Sequence, residues 1–159
     1  VSTPLRTRLK VDKNVSRKTI EKHSPKYPNG GLIFGQVIGV NNPHYAVETG
    51  SVILKHGIEK GQGSFGAVHI WHRHERELSA LGYATFADVP RFVADIVRPQ
   101  SPVLINFSRQ GRQKLITLRS PLGMAVLQPK GQVEGILAYS VITAYTKVNP
   151  KGQQVTTIR

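Results

Sequence analysis

The sequence predicts an α+β fold, with N-terminal helices packed on one face of a four-stranded antiparallel β-sheet meander. Three observations carry that prediction. Apolar residues recur at helical spacing between His69 and Ile96. Beyond Pro99 the apolar period drops to two, as in strands that bury one face. The four strand-like runs are separated by SRQGR, PLG and PKGQVEG, turn-forming segments short enough to join antiparallel neighbours. Helices followed by contiguous strands put the helices on one side of the sheet and leave the other side open for a ligand.

The elements follow in chain order. Residues 1–30 form a basic lead-in with eight Lys or Arg (Arg6, Arg8, Lys10, Lys13, Arg17, Lys18, Lys22 and Lys26) against Asp12 and Glu21. Its apolar residues hold no sustained period, a short helix fits only Val15 to Lys22, and SPKYPNGG at Ser24 to Gly31 closes it as a turn. A single domain is expected over residues 31–159, with its core at 66–147. LIFGQVIGV reads as one or two short strands broken by glycine, and SVILKHGI as another apolar stretch whose pairing is open. GQGSFG at Gly61 to Gly66 lacks the Lys-Ser/Thr ending of a phosphate-binding loop and reads as a flexible approach to the next helix.

The first helix is predicted over His69 to Leu81, with Ile70, Trp71, His74, Leu78 and Leu81 on the apolar face and Gly82 as its stop. The second lies in TFADVPRFVADIV, where Phe86, Val89, Phe92, Val93 and Ile96 make the stripe. Pro90 fits only its first turn, with Thr85 or Asp88 as cap. The strands are PVLINF, QKLITLRS, GMAVLQ and ILAYSVITAY. Strict alternation in the last places Tyr139, Val141, Thr143 and Tyr145 on one side.

Composition narrows the function. The 159 residues include no cysteine, so disulfides, thiolate zinc sites and a cysteine nucleophile are excluded. No apolar run reaches the roughly 20 residues that span a bilayer, and no signal-peptide pattern opens the chain. The absence of an initiator Met suggests a piece of a longer polypeptide. Against 9 Asp and Glu stand 22 Lys and Arg, and the resulting charge of +13 favours a polyanionic partner, nucleic acid first. From Ile96 to Val133 there are Arg98, Arg109, Arg112, Lys114, Arg119 and Lys130 with no acidic residue.

The histidines carry the chemistry. HIWHRH brings His69, His72 and His74 together in the sequence, but it lacks the HExxH arrangement, and neither a paired-carboxylate site nor a GxSxG elbow is present. His74 falls on the apolar face, where an imidazole is either a hydrogen-bonded core residue or a side chain aimed at the sheet. His69 lies opposite on an ideal helical wheel, so the two converge only if His69 stands at the helix entrance. Metal-free cleavage of RNA fits these residue types: a base takes the 2′-hydroxyl proton, an acid protonates the leaving oxygen, and cations hold the phosphorane. Arg109, Arg112 and Lys114 could supply the cations. Thr143 and Tyr145 offer paired hydroxyls, and Tyr139 and Tyr145 offer rings for stacking an unpaired base.

GAVHIWHRH, FADVPRFVADIV, RQKLITLRS and VITAY together resemble the barnase/EndoU/colicin/RelE-like nuclease superfamily over Gly66 to Lys147. Within it, they are similar to toxin domains at the C-terminal ends of contact-dependent growth-inhibition and other polymorphic toxin proteins, and to related phage-encoded nucleases. The resemblance implies a four-stranded antiparallel sheet behind N-terminal helices and a metal-independent endoribonuclease without cofactor, often cutting tRNA to a 2′,3′-cyclic phosphate. It implies catalytic roles for His69, His74, Arg109 or Arg112 with Lys114 as the basic strand residues, and Thr143 with Tyr145. Separately from the resemblance, RNA contacts are expected from Lys114, Arg119, Ser120, Tyr139 and Arg73. The resemblance also implies secretion or cell-surface delivery within a larger protein, action in the target-cell cytoplasm, and a cognate, acidic immunity protein. The alternatives are a non-catalytic RNA- or DNA-binding module using the same basic sheet and a basic structural protein docking an acidic partner. A ribonuclease A-like fold would also pair His, Arg, Thr and Tyr.

Overall fold

The computed structural model describes residues 7–8, 25–28, 30–107, 116–147 and 152–159. Its strands are β1 (Thr7–Arg8), β2 (Gly35–Val37), β3 (Val40–Asn41), β4 (Tyr45–Val47), β5 (Gly50–Ile53), β6 (Pro102–Ile105), β7 (Ile116–Arg119), β8 (Met124–Val133), β9 (Ile136–Tyr145) and β10 (Gln153–Thr157). Helix α1 is Gly66–Ala80 and α2 is Val89–Ile96, the latter preceded by a 3-10 turn at Phe86–Asp88. The fold is α+β, as the periodicities predict.

The sheet departs from the prediction. It is not a four-stranded antiparallel meander but a mixed sheet of seven strands in the order β10-β6-β7-β8-β9-β5-β2. β6 to β9 are consecutive antiparallel neighbours within it. β5 adds to β9 in parallel, with Gly50 opposite Leu137 and Ile53 opposite Ser140, a pairing for which no short turn leaves a local trace. β2 and β10 pair antiparallel with β5 and β6. The sheet then curls until its two outer strands meet: Val37 bridges Ile158, and the Arg159 N–H donates to the Gln36 carbonyl at 2.8 Å. That seam satisfies backbone groups which an open edge would expose. A separate three-stranded sheet, β1-β4-β3, includes Thr7 and Arg8 of the basic lead-in. The rest of the expected mobile arm, including the helix considered at Val15 to Lys22, lies outside the described residues.

One main core joins the helices to the inner face of the sheet. Ile70 and Leu78 of α1 and Val89, Phe92, Val93 and Ile96 of α2 cluster with Val52, Ile116, Leu118, Leu127, Leu137, Tyr139 and Val141. Each fully buried aliphatic or aromatic side chain contributes roughly 1.5–3 kcal/mol by leaving water. The stripe forecast for α2 holds from Val89 to Ile96, while Phe86 is exposed on the 3-10 turn. The Asp88 carboxylate accepts from the Thr85 N–H at 3.1 Å and the Thr85 hydroxyl at 3.2 Å, which holds its pKa below the usual carboxylate range. Leu81 is exposed, so the α1 stripe ends at Leu78.

Three further expectations are corrected. The second face of the sheet is not an open platform, because Ile53, Val133 and Ala138 form a small cluster there with Leu32. PKGQVEG is not a loop throughout: β8 continues through Pro129 and Gln132 to Val133, with a register shift that absorbs the glycine. Alternation also breaks in β9. Val126 opposes Thr143 while Leu127 opposes Val141, so Ile142 is an extra residue and the faces exchange. Tyr139 and Val141 therefore share the core with Ala144, while Thr143 pairs with Val126 on the opposite face.

Candidate functional site

The segment before α1 is a closed loop rather than a flexible approach. Ile58 and Phe65 exchange backbone hydrogen bonds of 3.1 Å. The Ser64 hydroxyl accepts from the Lys60 N–H and donates to the Gly61 carbonyl, both at 2.8 Å. The Lys55 and His56 carbonyls accept from the Ala67 and Val68 N–H groups at 2.9 Å, filling two of the donors that a helix start leaves free. Only glycine permits the doubling back: Gly57 and Gly66 have φ of +79° and +81°, and a Cβ on Gly57 would lie 1.8 Å from the Phe65 carbonyl oxygen.

This loop carries Glu59 to His69. The His69 Nδ1–H donates to Glu59 Oε2 at 2.6 Å, and both side chains are mostly shielded from solvent. The bond from His69 lowers the Glu59 pKa, assisted by the nearby charge of His72 and Arg73. A carboxylate on Nδ1 fixes the imidazole tautomer and leaves Nε2 as the reactive nitrogen. Sequence reasoning missed Glu59 because its segment read as a flexible lead-in. The glycines bracketing it were the available signal.

His74 continues the buried stripe of Ile70 and Leu78. Its own dihedrals (φ −128°, ψ 18°) leave the helical region and kink α1 there. The imidazole meets the Tyr145 ring edge-on, with centroids 5.1 Å apart and planes at 75°. Burial pushes the His74 pKa below its ordinary value; Glu77, whose Oε1 lies 4.0 Å from Nδ1, opposes that, and His69 and Arg73 reinforce it. The imidazole opens onto a cavity of about 380 Å³ lined by His74, Glu77, Met124, Tyr145, Thr146 and Lys147. Gly123 lets the β7–β8 turn lie flat on the end of β9, since a Cβ there would come within 2.1 Å of the Tyr145 carbonyl oxygen.

The other expected site residues divide. Arg119 is exposed at the end of β7. Arg73 is exposed on α1, beside His72, Glu75, Arg76 and Glu77. Thr143 is buried, and its hydroxyl has no hydrogen-bond partner among the described residues. Tyr139 is not a stacking platform: its ring is fully buried and its hydroxyl donates to the Glu48 carbonyl at 2.5 Å. Ser120 is no free contact for RNA either, because its buried hydroxyl accepts from the Leu122 and Gly123 N–H groups and donates to the Gly123 carbonyl, all at 3.2 Å. Arg109, Arg112 and Lys114 lie outside the described residues.

The site that the structure assembles is thus His74 with Tyr145, extended by Glu77 and Lys147; the Glu59–His69 pair does not line that cavity, and His69 stands within α1 rather than at its entrance, so the two histidines do not share it. A neutral imidazole at the mouth of a cavity with an ammonium and a phenol can accept a proton, donate one and balance an anion. Among the described residues, no three His, Asp or Glu side chains converge so as to hold a metal ion, and no helix is long and apolar enough to cross a membrane. Comparison with known proteins finds no matching family model, no similar curated protein and no similar solved structure.

Proposed function

We propose that the chain is a metal-independent endoribonuclease acting from the cavity between His74 and Tyr145. One observation carries this reading. His74 is held against Tyr145 in a cavity that also contains Lys147, and its pKa is lowered by burial, so the imidazole is a free base at neutral pH. His74 removes the proton of a ribose 2′-hydroxyl. The 2′-oxygen attacks the adjacent phosphorus, Lys147 balances the phosphorane charge, and the Tyr145 hydroxyl gives its proton to the departing 5′-oxygen. The products are a 2′,3′-cyclic phosphate and a free 5′-hydroxyl. The charge of +13 supports a polyanionic substrate.

The wider reading comes from the resemblance. It makes the chain the toxin domain of a larger secreted or surface-delivered protein used in interbacterial competition, with tRNA as substrate and an acidic immunity protein covering the basic surface. The test is incubation with total RNA in chelator. Discrete fragments with cyclic phosphate ends are expected, and His74→Ala lowers the rate by about 10²- to 10⁴-fold, the usual worth of a positioned base. Bound but intact RNA would instead mark a non-catalytic binding module.

A further inference from the structure

A second cleft has residues of the β7–β8 turn among its walls. Its volume is about 500 Å³, and Tyr83, Asp95, Arg98, Gln100, Ser101 and Arg119 are among its walls. Arg119 is exposed, and among the described residues it has no ion-pair partner. The Arg98 side chain is 69% exposed. Among the described residues, Asp95 is the one carboxylate lining the cleft. It accepts from the Tyr83 hydroxyl at 2.6 Å and stands 3.8 Å from the Arg98 guanidinium. Two guanidinium groups against one occupied carboxylate leave the cleft with a net positive charge, and the planar fork of each suits a phosphate.

The strand register ties this cleft to the first cavity. Arg119 of β7 is directly opposite Met124 of β8, and Met124 is directly opposite Tyr145 of β9. Residues paired in this way project to the same side of a sheet. Arg119 therefore stands two strand spacings from Tyr145, about 10 Å. Met124 and Tyr145 line the His74 cavity, while Arg119 lines the second cleft. A row of three side chains thus runs from one cavity to the other, past a turn whose Pro121 and Leu122 also line the cleft.

We propose that the Arg98–Arg119 cleft is a phosphate subsite for single-stranded RNA, gripping the backbone a short step along the strand from the bond held at His74. The inference rests on the ribonuclease reading for the identity of the polyanion. Arg98 and Arg119 position the strand and take no part in bond breaking. Asp95 competes with the phosphate for Arg98, which tempers the affinity and lets the strand leave.

The experiment uses the full chain and 2′-O-methyl RNA oligonucleotides of two, four and six nucleotides, which bind but cannot cyclise. Fluorescence anisotropy is recorded over a range of salt concentrations. Affinity is expected to rise with length beyond two nucleotides. In Arg98→Ala/Arg119→Ala that rise disappears, and the slope of log affinity against log salt falls by about 1.4, near 0.7 for each lost phosphate contact. Asp95→Asn is expected to tighten the longer oligonucleotides, and thermal melts confirm that the variants fold. An unchanged length dependence and salt slope in the double variant overturns the subsite. If the chain leaves natural RNA uncut while the length dependence is present and lost in the double variant, the ribonuclease reading falls and the subsite stands. Absence of binding at every length overturns both.

Discussion

His74 and Tyr145 meet edge to face with ring centroids 5.1 Å apart, although helix α2 and three complete strands lie between them in the chain. The contact is made by tertiary folding: α1 packs along β9, the kink at His74 turns the imidazole toward the strand end, and the bulge at Ile142 resets which residues of β9 lie outside the core.

The first prediction concerns pH. His74 is a base only when neutral, and its pKa is lowered chiefly by burial. The acid limb of the kcat/KM profile for RNA cleavage should therefore fall below the ordinary histidine value of about 6.5. Stability moves with it. Below that value the unfolded chain binds a proton that the folded imidazole resists, so stability is full above the unfolded pKa and declines as pH drops toward the folded one. Urea titrations at a series of pH values should show this decline, and His74→Gln should flatten it.

Thr143 provides a sharper contrast with the sequence expectation. Its buried hydroxyl lacks a hydrogen-bond partner among the described residues, and an unmet polar group costs about 1–3 kcal/mol. Thr143→Val keeps the shape and removes the cost. A rise in Tm of a few degrees is expected for a domain of this size. A fall in Tm, or loss of RNA cleavage in a folded variant, would show that the hydroxyl is used.

Tyr139→Phe should act in the opposite direction. The hydroxyl donates to the Glu48 carbonyl from a fully buried ring, and burial raises its pKa strongly. Losing that bond should cost about 1–2 kcal/mol, read as a lower urea midpoint at unchanged slope. RNA affinity should not follow the ring, since it cannot stack on a base.

The loop that carries Glu59 is held by a glycine pair. Gly57→Ala forces a side chain against the Phe65 carbonyl at positive φ, so a loss of at least about 2 kcal/mol is expected. Glu59→Gln should leave the loop intact but remove the charged partner of His69. With wild type, stability assigned to this pair is present above the ordinary carboxylate range and lost as pH falls through the lowered Glu59 pKa. In Glu59→Gln that acid-side loss should be smaller.

Local features were legible in the sequence to the extent that their physics is local. The stripe of Val89, Phe92, Val93 and Ile96, the Thr85–Asp88 cap, the stop near Gly82 and the runs that became β6 to β9 all follow from period and turn chemistry. The parallel addition of β5 to β9, the seam between β2 and Ile158, and the bulge at Ile142 do not, because each is decided by a partner far along the chain. The candidate site divides in the same way. His74 was singled out by its place on an apolar face and Tyr145 by the strand pattern. Lys147, Glu77 and Glu59 were missed, because a charged side chain in a loop or on a helix surface has no period to betray its neighbour.

The seam between Val37 and Ile158 has a consequence for biosynthesis. While a ribosome is still making the residues between them, β2 has only one of its two neighbours, and its outer backbone is available to other nascent chains. Slowing translation between the codons for Val37 and Ile158 should therefore lengthen the period of exposure and raise the need for a chaperone. Assembly of the wall becomes a race between elongation and self-association.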